Sequence, residues 1–107
     1  MRLKAGEEKA LRALKEELSE RYKPLELRLF GSKARGESSP DSDIDVFIVL
    51  RQVNWQIERE IYDLCFEISL EHDVLISPII FSEEELKGPA MKASPFLAAV
   101  EREGIPL

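Results

Sequence analysis

Apolar positions along this chain follow two rhythms, one helical and one alternating, with polar turns between them. From Glu7 to about Tyr22, Leu11, Leu14, Leu18 and Tyr22 recur at spacings of three and four, which predicts a helix with one apolar stripe. Glu7, Glu8, Lys9, Lys15, Glu16 and Glu17 fall on its other faces, and Pro24 closes it. Leu25, Leu27 and Leu29 then alternate with Glu26 and Arg28, so Leu25 to Phe30 reads as a half-buried strand. One helical turn is expected over Lys33 to Arg35, and Gly36 to Asp41 is a polar loop. Ile44 to Leu50 is almost continuously apolar, the pattern of a central strand covered on both faces.

Asn54 is placed to cap a second long helix, whose core stripe is Ile57, Ile61, Leu64, Cys65 and Ile68. Val74 to Phe81 is a third strand, and Pro78 within it points to a sheet edge or a bulge. Ser82 with Glu85 makes a capping box for a short helix ended by Gly88-Pro89. Ser94, Pro95 and Gly104 frame a last helix. The order helix, strand, strand, helix, strand, helix predicts one small α/β domain over 1–107, with helices on one face of a sheet.

Composition narrows the class. A chain of 107 residues, 44% of them hydrophobic, can bury a core without disulfides or a structural metal. A net charge of −6 argues against a basic nucleic-acid groove, so no direct nucleic-acid partner is expected. Cys65 is the only cysteine, which suits a reducing cytoplasm and fits a buried thiol on the apolar stripe. No signal peptide is recognised and no apolar run approaches the roughly 20 residues of a membrane span, so a cytoplasmic protein without membrane contact is expected. His72, the only histidine, reads as a surface position, and Trp55 and Phe96 fit either core or a partner contact.

Candidate chemistry is concentrated in one segment. Gly31-Ser32-Lys33-Ala34-Arg35-Gly36 follows the first strand, and Asp43-Ile44-Asp45-Val46 opens the second. Aspartates at i and i+2 of a strand share a face, and two carboxylates so close repel unless a cation lies between them. A Gly-Ser turn beside them offers backbone N–H groups to phosphate oxygens. Together these parts suggest a site for Mg²⁺ and a nucleoside triphosphate.

The joined pattern G-S-x-A-R-G and S-D-I-D-V resembles the signature of the DNA polymerase β-like nucleotidyltransferase superfamily, and the whole chain is similar to its minimal nucleotidyltransferase members. The resemblance implies a palm-like fold with a small mixed sheet of three or four strands. It implies that Gly31 and Ser32 cradle the β- and γ-phosphates of ATP, and that Asp43 and Asp45 bind the catalytic Mg²⁺. Arg35 or Lys33 would reach a phosphate. Active members of the family usually carry a third carboxylate on the third strand. Here Ser77 or Ile79 stands at that place, and Asp73, of the right parity, lies about 13–20 Å earlier along the chain. Minimal members commonly pair with a helical HEPN-type toxin and act as its antitoxin, transferring AMP to a toxin hydroxyl. The alternative is an antitoxin-like binding subunit, as a homo- or hetero-oligomer, with weak or lost catalysis. A small-molecule transferase is a third reading, disfavoured because no acceptor-binding extension is seen.

Overall fold

In the computed structural model, residues 3–36 and 43–107 are described. Helix α1 (Ala5–Arg21) leads to β1 (Glu26–Phe30), the one-turn α2 (Ser32–Arg35), β2 (Ile44–Leu50) and the long α3 (Trp55–His72). Strand β3 (Ile76–Ser82) follows, then the short α4 (Glu83–Lys87) and α5 (Pro89–Lys92), α6 (Pro95–Glu103) and β4 (Ile105–Pro106). The predicted elements are present to within two residues at most ends. Asn54 caps α3 by accepting from Ile57 N–H, and Ser82 and Glu85 form the expected reciprocal box.

The sheet is mixed and runs β3-β2-β1-β4. Strand β1 is antiparallel to β2, while β3 is parallel to β2 and joined to it through α3. The fourth strand is within the three or four that the resemblance implies, but the apolar pattern does not place it: two residues after a helix-ending glycine are too short for any periodicity, yet Ile105 and Pro106 pair with Leu29 and Arg28. Pro78 lies in β3 at the sheet edge, as its missing N–H requires.

Central β2 sorts its side chains between two cores. Ile44, Val46, Ile48 and Leu50 point into an aliphatic cluster with Leu11, Leu14 and Leu18 of α1 and Ile61, Leu64 and Ile68 of α3. Phe47 and Val49 point the other way, into a smaller cluster with Val100 of α6 and the partly buried Phe30, Phe81 and Phe96. The two long helices cover one face, whereas α6 packs on part of the other, so the expectation of helices on a single face holds for α1 and α3 and not for α6, whose apolar Val100 and Leu97 meet Phe47 and Val49. Cys65 is 2% exposed, and burial pushes its thiol up to about 12, as a structural thiol on the apolar stripe should be.

Two polar residues depart from their expected places. Glu7, assigned to a solvent face, is 4% exposed and meets Lys33, itself 3% exposed, across 2.6 Å. One carboxylate oxygen of Glu7 also accepts the Lys4 N–H at 2.8 Å. Burial alone would raise this carboxyl; the Lys33 hydrogen bond, the Lys4 N–H and both ammonium charges outweigh it and hold the group below its ordinary 4.5. His72 is half-buried in the last turn of α3 rather than in a surface loop.

Candidate active site

Antiparallel pairing of β1 with β2 brings the two halves of the sequence motif together. Phe30, the last residue of β1, lies opposite Asp45, so the Gly31 turn leaves the sheet where β2 begins. Gly31 adopts φ +76°, in the left-handed region that glycine enters without a Cβ penalty. A Cβ on Gly31 would stand 2.5 Å from Asp45 Oδ2. The turn therefore passes over the Asp45 carboxylate at a distance that only glycine permits.

Asp45 is half-buried on the face of Phe47 and Val49, while Asp43 is exposed just before the strand. The Asp45 carboxyl is raised above its ordinary 3.8, first by burial and then by the negative charge of Asp43; the positive charge of Arg35 works the other way. The pair is thus close enough to couple electrostatically, as an i, i+2 spacing predicts. A carboxylate pushed up by a second carboxylate is relieved when a cation binds between them, so the donor set suits a hard divalent ion.

The other predicted residues separate into two groups. Arg35 is at the site: its charge acts on Asp45, and its Nη1 lies 3.2 Å from Glu103 Oε2 at the end of α6. Lys33 points elsewhere, into the buried contact with Glu7, so it ties α2 to α1 rather than reaching a phosphate. The backbone of Ser32 opens α2, and its side chain lies outside the described part, as does most of the polar loop after Gly36. Glu103, which positions the Arg35 guanidinium, was not singled out from the sequence. Nothing in the pattern of α6 marks it, because the contact spans most of the chain.

Across the sheet, the residue paired with Asp45 is Ser77, and Phe47 is paired with Ile79. Position 77 therefore faces Asp45 from β3 with a hydroxyl instead of a carboxylate. Asp73 does not reach the strand; it is the exposed left-handed residue that ends α3, at φ +53°. Among the described residues, no group of three or more His, Cys, Asp or Glu side chains could hold a metal. Below Asp45 the same face is floored by aromatic rings, with Phe30 and Phe96 edge-to-face at 5.6 Å and Phe47 against Phe81 at 5.7 Å. A cavity of about 330 Å³ opens farther along this face, between Arg28, Phe47, Leu86, Lys92 and Leu97.

A mixed sheet whose central strand opens on paired aspartates, overhung by a glycine turn, defines a nucleotidyltransferase class of fold. The chain belongs to the nucleotidyltransferase domain family, whose model matches residues 11–102. A Methanocaldococcus jannaschii protein named "Putative protein adenylyltransferase MJ0141" is 37% identical over 78 residues, covering 72% of this chain and 72% of that protein. A solved structure described as a "putative minimal nucleotidyltransferase" is similar at 30% identity, with a TM-score of 0.57, covering 92% of this chain and 94% of that one. A crystal structure of a toxin–antitoxin with AMP-PNP shares the fold at a TM-score of 0.62 and 22% identity, covering 92% of this chain and 70% of that one.

Proposed function

We propose that this protein transfers AMP from ATP to a hydroxyl of a partner protein, and that it serves as the antitoxin of a HEPN-type helical toxin. The observation that carries the reading is the Gly31 turn seated on Asp45, with Asp43 and Arg35 beside it. Asp43 and Asp45 are the residues that would hold Mg²⁺. When bound, the ion neutralises triphosphate charge and orients the acceptor oxygen. Gly31 and Ser32 would hold the β- and γ-phosphates through backbone N–H groups, and Arg35 would contact a phosphate from the α6 side. In the transfer, the acceptor oxygen bonds to the α-phosphorus, the bond to the β-phosphate breaks, pyrophosphate leaves and the hydroxyl proton is lost. Such chemistry depends on positioning and charge rather than on a protein nucleophile.

Two supports come from similar proteins: one is named "Putative protein adenylyltransferase MJ0141", and another is a toxin–antitoxin structure determined with AMP-PNP. Among the described residues, no helix is long and apolar enough to cross a membrane, and the buried free thiol suits a cytoplasmic site of action.

One observation favours a second reading, an antitoxin-like subunit with weak or lost catalysis. Ser77 occupies the β3 position opposite Asp45, and Asp73 is committed to the end of α3. Calorimetric titration of ATP with Mg²⁺, repeated with Asp43→Asn/Asp45→Asn, tests the nucleotide site. Neutralisation of the toxin by that double variant in cells separates the two readings. Retained neutralisation selects the binding subunit, and lost neutralisation by a folded variant selects the transferase.

A further inference from the structure

Helix α3 carries two parallel rows of exposed side chains on its outer surface. Tyr62, Phe66 and Leu70 form one, and Asp63, Glu67 and Glu71 form the other, each at a spacing of four. Trp55 lies two turns before Tyr62 on the same side of the helix, with the exposed Arg59 between them. Trp55, Phe66 and Leu70 are 74%, 65% and 68% exposed, and Tyr62, Phe66 and Leu70 stand together in water as an apolar stripe rather than as scattered single residues. Toward the sheet it meets a groove lined by Cys65, Ser69, Leu75 and Pro78. None of these residues belongs to the Asp43/Asp45 site.

The adjoining sheet edge offers few backbone donors to an added strand. Ile44 N–H bonds to Leu75 O, which fixes the outward-facing donors of β3 at even-numbered positions. The Ile76 N–H is taken by Ser69 Oγ at 3.1 Å, Pro78 has none, and the Ser82 N–H is taken by Glu85 Oε1 at 3.1 Å. Only Ile80 remains to donate along this edge. A partner therefore gains little from backbone pairing and must dock through side chains, as a helix in a groove does.

Charge selects the kind of helix. Arg59 is the only Lys or Arg in α3, against Glu58, Glu60, Asp63, Glu67 and Glu71. Two copies of this chain meeting through α3 would set these acidic rows against each other, and the net charge of −6 adds to that repulsion. We propose that the α3 stripe and its groove dock an amphipathic helix of a different protein, one whose apolar stripe is flanked by Lys and Arg. The inference rests on the partner half of the proposed function and is independent of the transfer chemistry. Because α3 returns antiparallel to β2, its Leu70 end lies at the same end of the sheet as Asp43. A helix seated on the stripe would hold its protein beside the site without covering it.

The test uses the full chain and two designed, tryptophan-free helical peptides with identical Leu stripes, one flanked by Lys and Arg and the other by Glu. Trp55, the only tryptophan, reports docking by a blue shift of its emission, and peptide anisotropy gives the affinity. The basic peptide is expected to bind at least about tenfold tighter than the acidic one, and Phe66→Glu to weaken it by about tenfold or more. Glu67→Lys/Glu71→Lys is expected to reverse the preference, which also decides the matter should Phe66→Glu fail to fold. Equal binding of both peptides, or binding of neither, overturns the proposal. A self-associated chain in sedimentation that Phe66→Glu makes monomeric also overturns it, in favour of a second copy. Asp43→Asn/Asp45→Asn leaves peptide binding unchanged, so failure of the nucleotide reading and failure of this one are distinguishable.

Discussion

The two faces of the sheet are built to different standards of closure, from alternate residues of one strand. On the α1/α3 face, Ile44, Val46, Ile48 and Leu50 meet interlocked Leu and Ile side chains, and even the polar pair Glu7 and Lys33 is sealed. On the α6 face, Asp45, Phe47 and Val49 meet half-exposed aromatic rings, a cavity and a glycine turn. The strand residues of the first face are filled in by their own neighbours, and its grooves lie at the margins, beside Cys65 and Ser69 and beside Leu50 and Ile57. The second tolerates a raised carboxyl and an open floor, which cost stability and leave space for a ligand. The division of labour is thus set at single-residue resolution along β2.

Breaking the closed face should have the largest effect. Lys33→Met leaves the Glu7 carboxylate buried without its cation and is expected to cost about 3–5 kcal/mol in urea unfolding. Glu7→Leu/Lys33→Met should recover most of that loss, because replacing a buried ion pair with apolar side chains is often neutral. The wild-type carboxyl is held below 4.5, so its contribution is present above that pH and is lost as pH falls through the depressed value. Acid unfolding of the double variant should lack this component.

On the open face the same kind of change should spare the fold and damage the chemistry. Asp43→Asn/Asp45→Asn is expected to lower AMP transfer about 100- to 1,000-fold, measured as mass added to the partner protein, with an unchanged circular dichroism spectrum. Gly31→Ala sharpens the contrast. It places a methyl 2.5 Å from Asp45 Oδ2 at φ +76°, and should cost about 1–2 kcal/mol in stability as well as weaken ATP binding in calorimetry.

The smallest effect has the most diagnostic sign. Asp45 is raised above 3.8, so the folded state holds its proton more tightly than the unfolded chain does. The associated stability is fully present below that pH and is lost as pH rises through the raised value. At neutral pH without metal, Asp45→Asn should therefore raise the melting temperature by about 1–3 °C. Added Mg²⁺ and ATP should stabilise the wild type and leave the variant unmoved.

Local chemistry made most of this legible in advance. The cap at Asn54, the box at Ser82, the edge proline at Pro78 and the apolar run of β2 are each dictated by near neighbours, and each is in place. The Gly31 and Asp45 halves of the site were legible because one antiparallel pairing joins them. What stayed hidden depends on tertiary contact. Glu7 reads as solvent-facing until α2 is folded against α1, and Lys33 reads as a phosphate ligand until its partner is known. The Arg35–Glu103 contact joins residues 68 positions apart, and β4 has no pattern of its own. Of Trp55 and Phe96, ambiguous from sequence, Phe96 joins the aromatic floor and Trp55 is exposed.

The single thiol offers a clock for the molecule's own breathing. Cys65 sits in the closed core on α3, and its proton is held so firmly that almost no thiolate exists at neutral pH. Cys65 is 2% exposed beneath the groove beside Ser69 and Pro78, so an alkylating reagent gains full access when α3 moves against the sheet. Its labelling rate, read against that of an unfolded control, therefore counts openings of the closed face. The same count taken with a docked helix on the outer side of α3 would show whether a partner steadies that core from outside.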